Sequence, residues 1–360
     1  MGLLAAFFAI PASLALLLLL GLDSAGLFRK KETIYRGGYL PKTLVIVPCK
    51  GTEISLRRNL ESLKKQKYGK YDLIAVVDSE SDESLAAIKS LRIKYAVSEV
   101  RSAKASGKVM AIAAALQRFR NYEAYAIADS DITAGSSWLR ELVAPLQDKR
   151  IGVSTVFPYF VPVGGFWSKV KTVWGFVGQD LLENQDSRFA WGGSMAFRKS
   201  LAGKKELSFL KGSKYSVSDD ICITMIARRK KLGIAYAAGA QPTVNTRDTF
   251  GEFAEWSNRQ TALTLLGYRR NFRRGIFFYC TEIFVFLSGI YLSAYASPLF
   301  LTLFLHLLVS EKRAFSRLRG KDPINAAIVI IMPFIYVINL LRARTLKKIS
   351  WRGSVYKLYG

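Results

Sequence analysis

The stretch Tyr125-Ala126-Ile127-Ala128-Asp129-Ser130-Asp131 decides how the rest of the chain reads. An apolar run that ends in two carboxylates one residue apart predicts a buried strand presenting Asp129 and Asp131 at the rim of an open sheet. Carboxylates at i and i+2 can share a hard divalent cation, which keeps its remaining positions for water and phosphate oxygens. That points to a diphosphate leaving group. An isolated Asp-x-Asp is more often a strand end with a solvated turn, so the residues around it carry the decision.

Around it, short apolar runs alternate with longer amphipathic ones. Thr43 to Pro48, Leu73 to Asp78, Ile93 to Val97, Tyr125 to Asp129 and Gly152 to Phe157 read as strands, with helices over Glu53 to Gln66, Asp82 to Ser90, Gly107 to Arg120 and Trp138 to Leu146. Such alternation predicts an α/β fold: an open, mostly parallel sheet with helices on both faces. After about Phe160 the regularity weakens, and a further helix is expected from near Asp219 to Lys231. No internal repeat is evident.

The chain has 360 residues, 53 Lys plus Arg against 27 Asp plus Glu, and a formal charge of +26, yet half of it is apolar. A membrane protein beside an anionic lipid surface accounts for both properties. A nucleic-acid partner is disfavoured, because the basic clusters flank apolar segments. Cys49, Cys222 and Cys280 stand far apart in no metal spacing, which fits reduced thiols in a cytosolic compartment. The single histidine, His306, lies in an apolar run, so zinc-hydrolase and Ser-His-Asp chemistries lose their usual base.

Leu3 to Leu22 carries no charge and is followed by Arg29, Lys30 and Lys31. A cleaved signal would place its positive residues first, so residues 1–28 are expected to be an uncleaved transmembrane anchor with the N-terminus outside. The catalytic domain, residues 40–248, is then cytoplasmic. Residues 249–274 are expected as an amphipathic interface helix, 275–310 as a membrane hairpin turning near Ser297-Pro298, and 342–360 as a basic tail. Basic residues flank 324–341 on both sides, so a crossing and a re-entrant helix both remain open there.

Further acids join the Asp pair. Val76-Val77-Asp78 is a second apolar run ending in a carboxylate, suited to accept hydrogen bonds from a nucleobase or ribose, whereas Asp82 reads as a helix cap. Lys108 follows Gly107 at an expected helix start, where a cation can meet a diphosphate or a sugar hydroxyl. Ser218-Asp219-Asp220 precedes a helix; one of its acids, Asp220 for preference, is the candidate base for an acceptor hydroxyl. Trp256, Arg259 and Gln260 fall at i, i+3 and i+4 and share a helix face.

In order, Leu44-Val45-Ile46-Val47-Pro48, Val77-Asp78, Asp129-Ser130-Asp131, Asp219-Asp220 and a late helix with Trp and Arg resemble the family 2 glycosyltransferases of the GT-A fold. Within them the chain is similar to the membrane-bound ceramide glucosyltransferase group, family 21, over roughly residues 40 to 270. The resemblance implies that Asp78 contacts the nucleotide, that Asp129 and Asp131 hold Mg²⁺ or Mn²⁺ against the diphosphate, and that Asp220 is the catalytic base. It implies Lys108 and Arg259, with Trp256 and Gln260, beside the nucleotide sugar. One departure stands out: the family ends on Gln or Arg, two residues, then Arg-Trp, whereas this chain has Trp256-Ser257-Asn258-Arg259-Gln260.

The expected reaction is inverting transfer of a hexose, with UDP-glucose as the expected donor, to the hydroxyl of a membrane lipid. Two alternatives compete. A polyprenyl-phosphate sugar transferase of the same fold needs no base, because its acceptor is already ionised. A membrane-anchored protein that binds a nucleotide sugar or lipid without turnover would not need the metal-binding and basic acids together.

Overall fold

The computed structural model describes residues 3–27, 35, 38–52, 54–98, 104–320 and 322–358, and in the first helix the side chains of residues 7–22. The described residues fall into two compact units. One comprises the first helix with Lys169–Phe176 and Phe250–Leu346; the other comprises the described residues between Glu32 and Ser168, Val177–Thr249 and the segment from Lys347 on.

In the second unit the strands run in chain order as β1 (Thr43–Pro48), β2 (Tyr71–Val77), β3 (Lys94–Val97), β4 (Ala124–Ala128), β5 (Ile132–Thr133) and β6 (Ile151–Thr155). They continue as β7 (Tyr159–Gly164), β8 (Ser194–Arg198), β9 (Gly233–Tyr236), β10 (Thr243–Arg247), β11 (Lys348–Trp351) and β12 (Ser354–Lys357). Seven of them form one sheet in the order β3-β2-β1-β4-β8-β6-β9. Only β8 runs against its neighbours β4 and β6, which makes this the mostly parallel sheet that the alternating runs predict. β5, β10 and β7 form a small second sheet, and β11 pairs with β12 as a hairpin.

The apolar runs of β1 and β4 are continuous because both of their faces are covered. Leu44, Ile46, Tyr125 and Ile127 join the core cluster that includes Ile112 and Leu116 of the helix Gly107–Arg118 and Ile223 of the helix Asp219–Arg229. Val45 and Val47 alternate with them and are also fully buried. The helices Leu56–Lys64 and Trp138–Val143 bury Leu60, Leu63, Leu139 and Leu142. At roughly 25 cal/mol per Å² of apolar surface removed from water, this two-sided burial is the main stabilisation of the sheet. It also leaves one direction for ligands to enter: the edge where the parallel strands end.

The helical unit contains Leu3–Leu27, Phe166–Trp174 in part, Phe250–Gly267, Arg269–Tyr295, Leu305–Arg317 and Ile324–Thr345. Arg269–Tyr295 and Ile324–Thr345 are long and apolar enough to cross a bilayer, with mean hydropathies of 1.7 and 2.3 over their most apolar windows. Ala12, Leu16 and Leu19 of the first helix pack on Val285 and Leu292, while Phe277, Leu287, Ile290, Ile338 and Leu341 point outward. The expected interface helix is divided at Tyr268, so the basic run Arg269, Arg270, Arg273 and Arg274 opens the next helix instead. Ser297 caps a short 3₁₀ turn at Pro298, where the sequence predicts the chain to reverse. His306 is buried and 2.5 Å from Glu282.

Past Phe160, where the regularity weakens, Phe166–Trp174 and Phe176–Glu183 fold as two helices. The segment after Thr345, expected as a basic tail, pairs as the β11–β12 hairpin, whose period-two pattern is short and masked by its lysines.

Candidate active site

β1, β2 and β4 run parallel and in register, with Ile46 opposite both Ile74 and Ile127, so their C-terminal ends reach one edge. Asp78 follows β2 there, and Asp129 follows β4. Lys50, two residues past β1, places Nζ 3.1 Å from Asp78 Oδ2. Asp129 is fixed from behind: its N–H donates to the Gly193 carbonyl at 3.0 Å. The next turn is fixed by Asn59, whose Nδ2 donates to the Ser130 carbonyl at 3.1 Å and whose Oδ1 accepts from Thr133 Oγ1 at 2.7 Å.

The helix Gly107–Arg118 starts at this edge, capped by Ser106, whose Oγ accepts from the Val109 N–H at 3.3 Å. Its second residue, Lys108, directs Nζ to Asp129 Oδ1 at 2.7 Å and to Asp219 Oδ2 at 3.2 Å. One nearly buried cation thus joins acids 90 positions apart in sequence. Burial alone would lower the Lys108 pKa, but the charges of Asp129, Asp219 and Asp220 outweigh it and raise the pKa above the usual lysine value.

Asp219 and Asp220 open the helix Asp219–Arg229, where carboxylates favour the positive end of the dipole. They differ sharply. Asp219 is buried against Gly192, and a Cβ at residue 192 would lie 2.2 Å from its Oδ2, so only glycine fits. Burial pushes the Asp219 carboxyl up to about 7, with Lys108 pulling it down and Asp220 and Asp129 pushing it up again. Asp220 is partly exposed and accepts from Ser218 Oγ at 2.8 Å. Asp82 proves to be a local brace: its Oδ1 accepts from the Gly51 and Ser84 N–H groups at 3.0 and 2.9 Å.

Asp78, Lys108, Asp129, Asp219 and Asp220 therefore belong to one edge of one unit, with Asp131 in the turn after Asp129. Trp256, Arg259 and Gln260 lie on the helix Phe250–Gly267 of the other unit. There Trp256 meets Trp174 edge to face at 4.8 Å between centroids, and the Lys171 ammonium lies 4.9 Å over its ring. Burial holds the Arg259 guanidinium below the usual arginine range, opposed by the charge of Glu255.

Sequence reasoning missed Lys50, Asn59 and Gly192. Lys50 stands two residues after an apolar run, the same kind of position that drew attention to Asp78. Gly192 stands beside Gly193, and a glycine pair between apolar segments signals close backbone approach.

Asp129 and Asp131 are the candidate oxygen donors for a divalent cation, and among the described residues no group of three or more His, Cys, Asp or Glu could hold one by itself. A cation held here would complete its shell from ligand oxygens and water, which suits Mg²⁺ or Mn²⁺ with a diphosphate.

A solved structure similar to the chain is the mannosyltransferase PcManGT from Pyrobaculum calidifontis in complex with GDP-Man and Mn²⁺, at 16% identity and TM-score 0.59, covering 95% of this chain and 96% of that one. Glucosyl-3-phosphoglycerate synthase from Mycobacterium tuberculosis, in complex with Mn²⁺, UDP-Glc and phosphoglyceric acid, matches at 18% identity and TM-score 0.46, covering 66% and 84%. No curated protein matches. The sheet order and the likeness to PcManGT define the GT-A fold. The match to the model of glycosyl transferase family 21 spans residues 26–359, and the chain belongs to that family. The match extends well past the 40 to 270 of the motif resemblance and takes in the helical unit from Lys169 on and the whole hairpin, but little of the first helix.

Proposed function

We propose that this family 21 glycosyltransferase transfers a hexose, with inversion, from UDP-glucose to the hydroxyl of a membrane lipid. The observation that carries the proposal is Lys108, which ties Asp129 to Asp219 and so brings the candidate metal carboxylate and the candidate base region to one sheet edge. In this reading Asp78 binds the nucleoside and Lys108 the donor's phosphates. Asp220 takes the proton of the acceptor hydroxyl, and that oxygen bonds to the anomeric carbon as the bond from the anomeric carbon to the diphosphate oxygen breaks. Asp129 and Asp131 would hold Mg²⁺ or Mn²⁺, which offsets the negative charge gathering on the departing diphosphate.

The lipid acceptor is favoured by the outward apolar side chains of Arg269–Tyr295 and Ile324–Thr345, which suit hydrocarbon better than water. The basic residues after the first helix support a cytoplasmic catalytic unit. To test this, the purified full-length chain is incubated with UDP-glucose, Mn²⁺ and a lipid extract, with UDP release and glycolipid followed by mass spectrometry. Acceptor-dependent release of UDP is expected; nucleotide binding without it would remove the enzymatic reading.

A further inference from the structure

The β11–β12 hairpin comes from the far end of the chain and meets the acidic edge at three points. The Gly107 N–H, at the start of the Lys108 helix, donates to Tyr356 Oη at 3.3 Å. The Lys108 ammonium lies 6.0 Å from the centre of the Trp351 ring. Arg352 Nη1 donates to the Lys50 carbonyl at 2.6 Å, and the same Lys50 pairs with Asp78. Two of the contacts fall on Lys50 and Lys108, which pair with the edge acids, and the third on the glycine before Lys108.

The turn of the hairpin supplies a second line of argument. Arg352 and Gly353 have φ of 47° and 73°, the two left-handed positions of a two-residue turn. Asn, Asp or Gly take the first of these readily, and an arginine there costs backbone energy. Arg352 as a residue is exposed, while its guanidinium, turned to the Lys50 carbonyl, is partly withdrawn from water. Arg352 therefore adds a guanidinium beside Lys50, at the edge where the donor's anionic group would enter. A guanidinium is the side chain that binds a diphosphate in bidentate fashion.

We propose that the C-terminal hairpin forms one wall of the donor pocket, with Arg352 binding the diphosphate of the nucleotide sugar and Trp351 and Tyr356 holding the hairpin against the Lys108 helix. This rests on the nucleotide-sugar reading above. It makes Arg352 a donor-binding residue and the last residues of the chain part of the pocket.

The decisive substitution is Arg352→Gly, because glycine relieves the left-handed backbone while removing the guanidinium. UDP and GDP, each with Mn²⁺, are titrated into the full-length chain in detergent, and Tm is measured on the same samples. Arg352→Gly is expected to weaken nucleoside diphosphate binding about tenfold or more, with Tm unchanged or higher. The KM for the donor rises, the KM for the acceptor stays, and Arg352→Lys falls between. Wild-type affinity in Arg352→Gly would overturn the proposal and leave the hairpin a structural strap. Should the glycine variant be recovered unfolded, Arg352→Gln, which keeps a donor for the Lys50 carbonyl, decides on the same criterion. A wild-type chain that binds neither nucleotide removes the donor reading itself, an outcome distinct from a wild-type chain that binds and a variant that binds equally.

Discussion

At the sheet edge Lys108 is held between Asp129 and Asp219 at 2.7 and 3.2 Å, and the buried Asp219 Oδ2 still lacks a well-aligned hydrogen bond. Around Asn339 in the helical unit, by contrast, buried polarity is arranged without charge. Trp174 Nε1 donates to Asn339 Oδ1 at 3.0 Å, and Asn339 Nδ2 donates to Ser257 Oγ and Asn258 Oδ1 at 3.2 and 3.0 Å. Tyr336 closes the knot by donating to the Trp174 carbonyl at 2.9 Å. A neutral, satisfied network locks helices together at small cost, whereas buried charges with imperfect partners are expensive and persist where chemistry needs them. Substitutions at the edge should therefore act on turnover, with a stability cost as well where a buried charge loses its partner, and substitutions in the knot on stability alone.

The largest effect is expected at Asp220. Asp220→Asn keeps the hydrogen bond from Ser218 but removes the base, so kcat should fall by about 10²- to 10⁴-fold with donor affinity and Tm unchanged. Single-turnover assays with a hydroxyl acceptor check this. Retained turnover would point to an acceptor that is already ionised, such as a polyprenyl phosphate.

Next comes Lys108→Met. It leaves Asp219, which is 1% exposed, without its cation. Breaking one side of such a pair costs about 3 to 5 kcal/mol, although Asp219 can relieve part of this by binding a proton. Its folded pKa is already raised to about 7, above the unfolded carboxylate range, so the folded state binds the extra proton between the two values. Stability from this group is then present at low pH and lost as pH rises through the folded value. The variant should be most destabilised relative to wild type at pH 8 and less so at pH 6, as read by thermal melts. An equal deficit at both would mean that Asp219 is not the group left uncompensated.

How much of this was readable in the sequence follows the same division. The strands β1, β2 and β4 were legible because two-sided burial makes them unbroken apolar runs, and Asp78 and Asp129 because each run stops on an acid. The partnership of Lys108 with Asp219 was not, since it depends on two helix starts that only the folded sheet brings together. β8 escaped because Ser194–Arg198 is short and pairs with strands distant in sequence, antiparallel to a sheet that otherwise reads as parallel. The hairpin escaped although Ile349, Trp351, Gly353 and Val355 carry a strand-turn-strand pattern, because the lysines around them read as solvated. In the helical unit, nothing in the apolar run 324–341 marks Asn339 as the hub of the knot, because its partners Trp174, Ser257 and Asn258 are distant in sequence.

Asn339→Ala should therefore cost about 1 to 3 kcal/mol, because the buried Trp174 Nε1 loses its acceptor. Specific activity per folded molecule should stay at wild type. Chemical denaturation alongside the transferase assay tests both halves of that statement, and a loss of turnover without a loss of stability would break the contrast between knot and edge.

The smallest effect is expected at Trp256, and it sharpens the comparison most. The family resemblance places this residue beside the nucleotide sugar, yet its ring lies edge to face on Trp174 at 4.8 Å with the Lys171 ammonium 4.9 Å above it. Trp256→Phe preserves an aromatic face in the same place, so the packing loss should be about 1 kcal/mol, with a weaker cation–π contact included. Donor KM should not move. If it rises while Tm holds, Trp256 serves the donor as well as the knot, and the line between charged edge and neutral interior runs through that one side chain. If both stay near wild type, the Trp belongs to the packing, and Arg259 alone on that helix face is left as the candidate for the diphosphate.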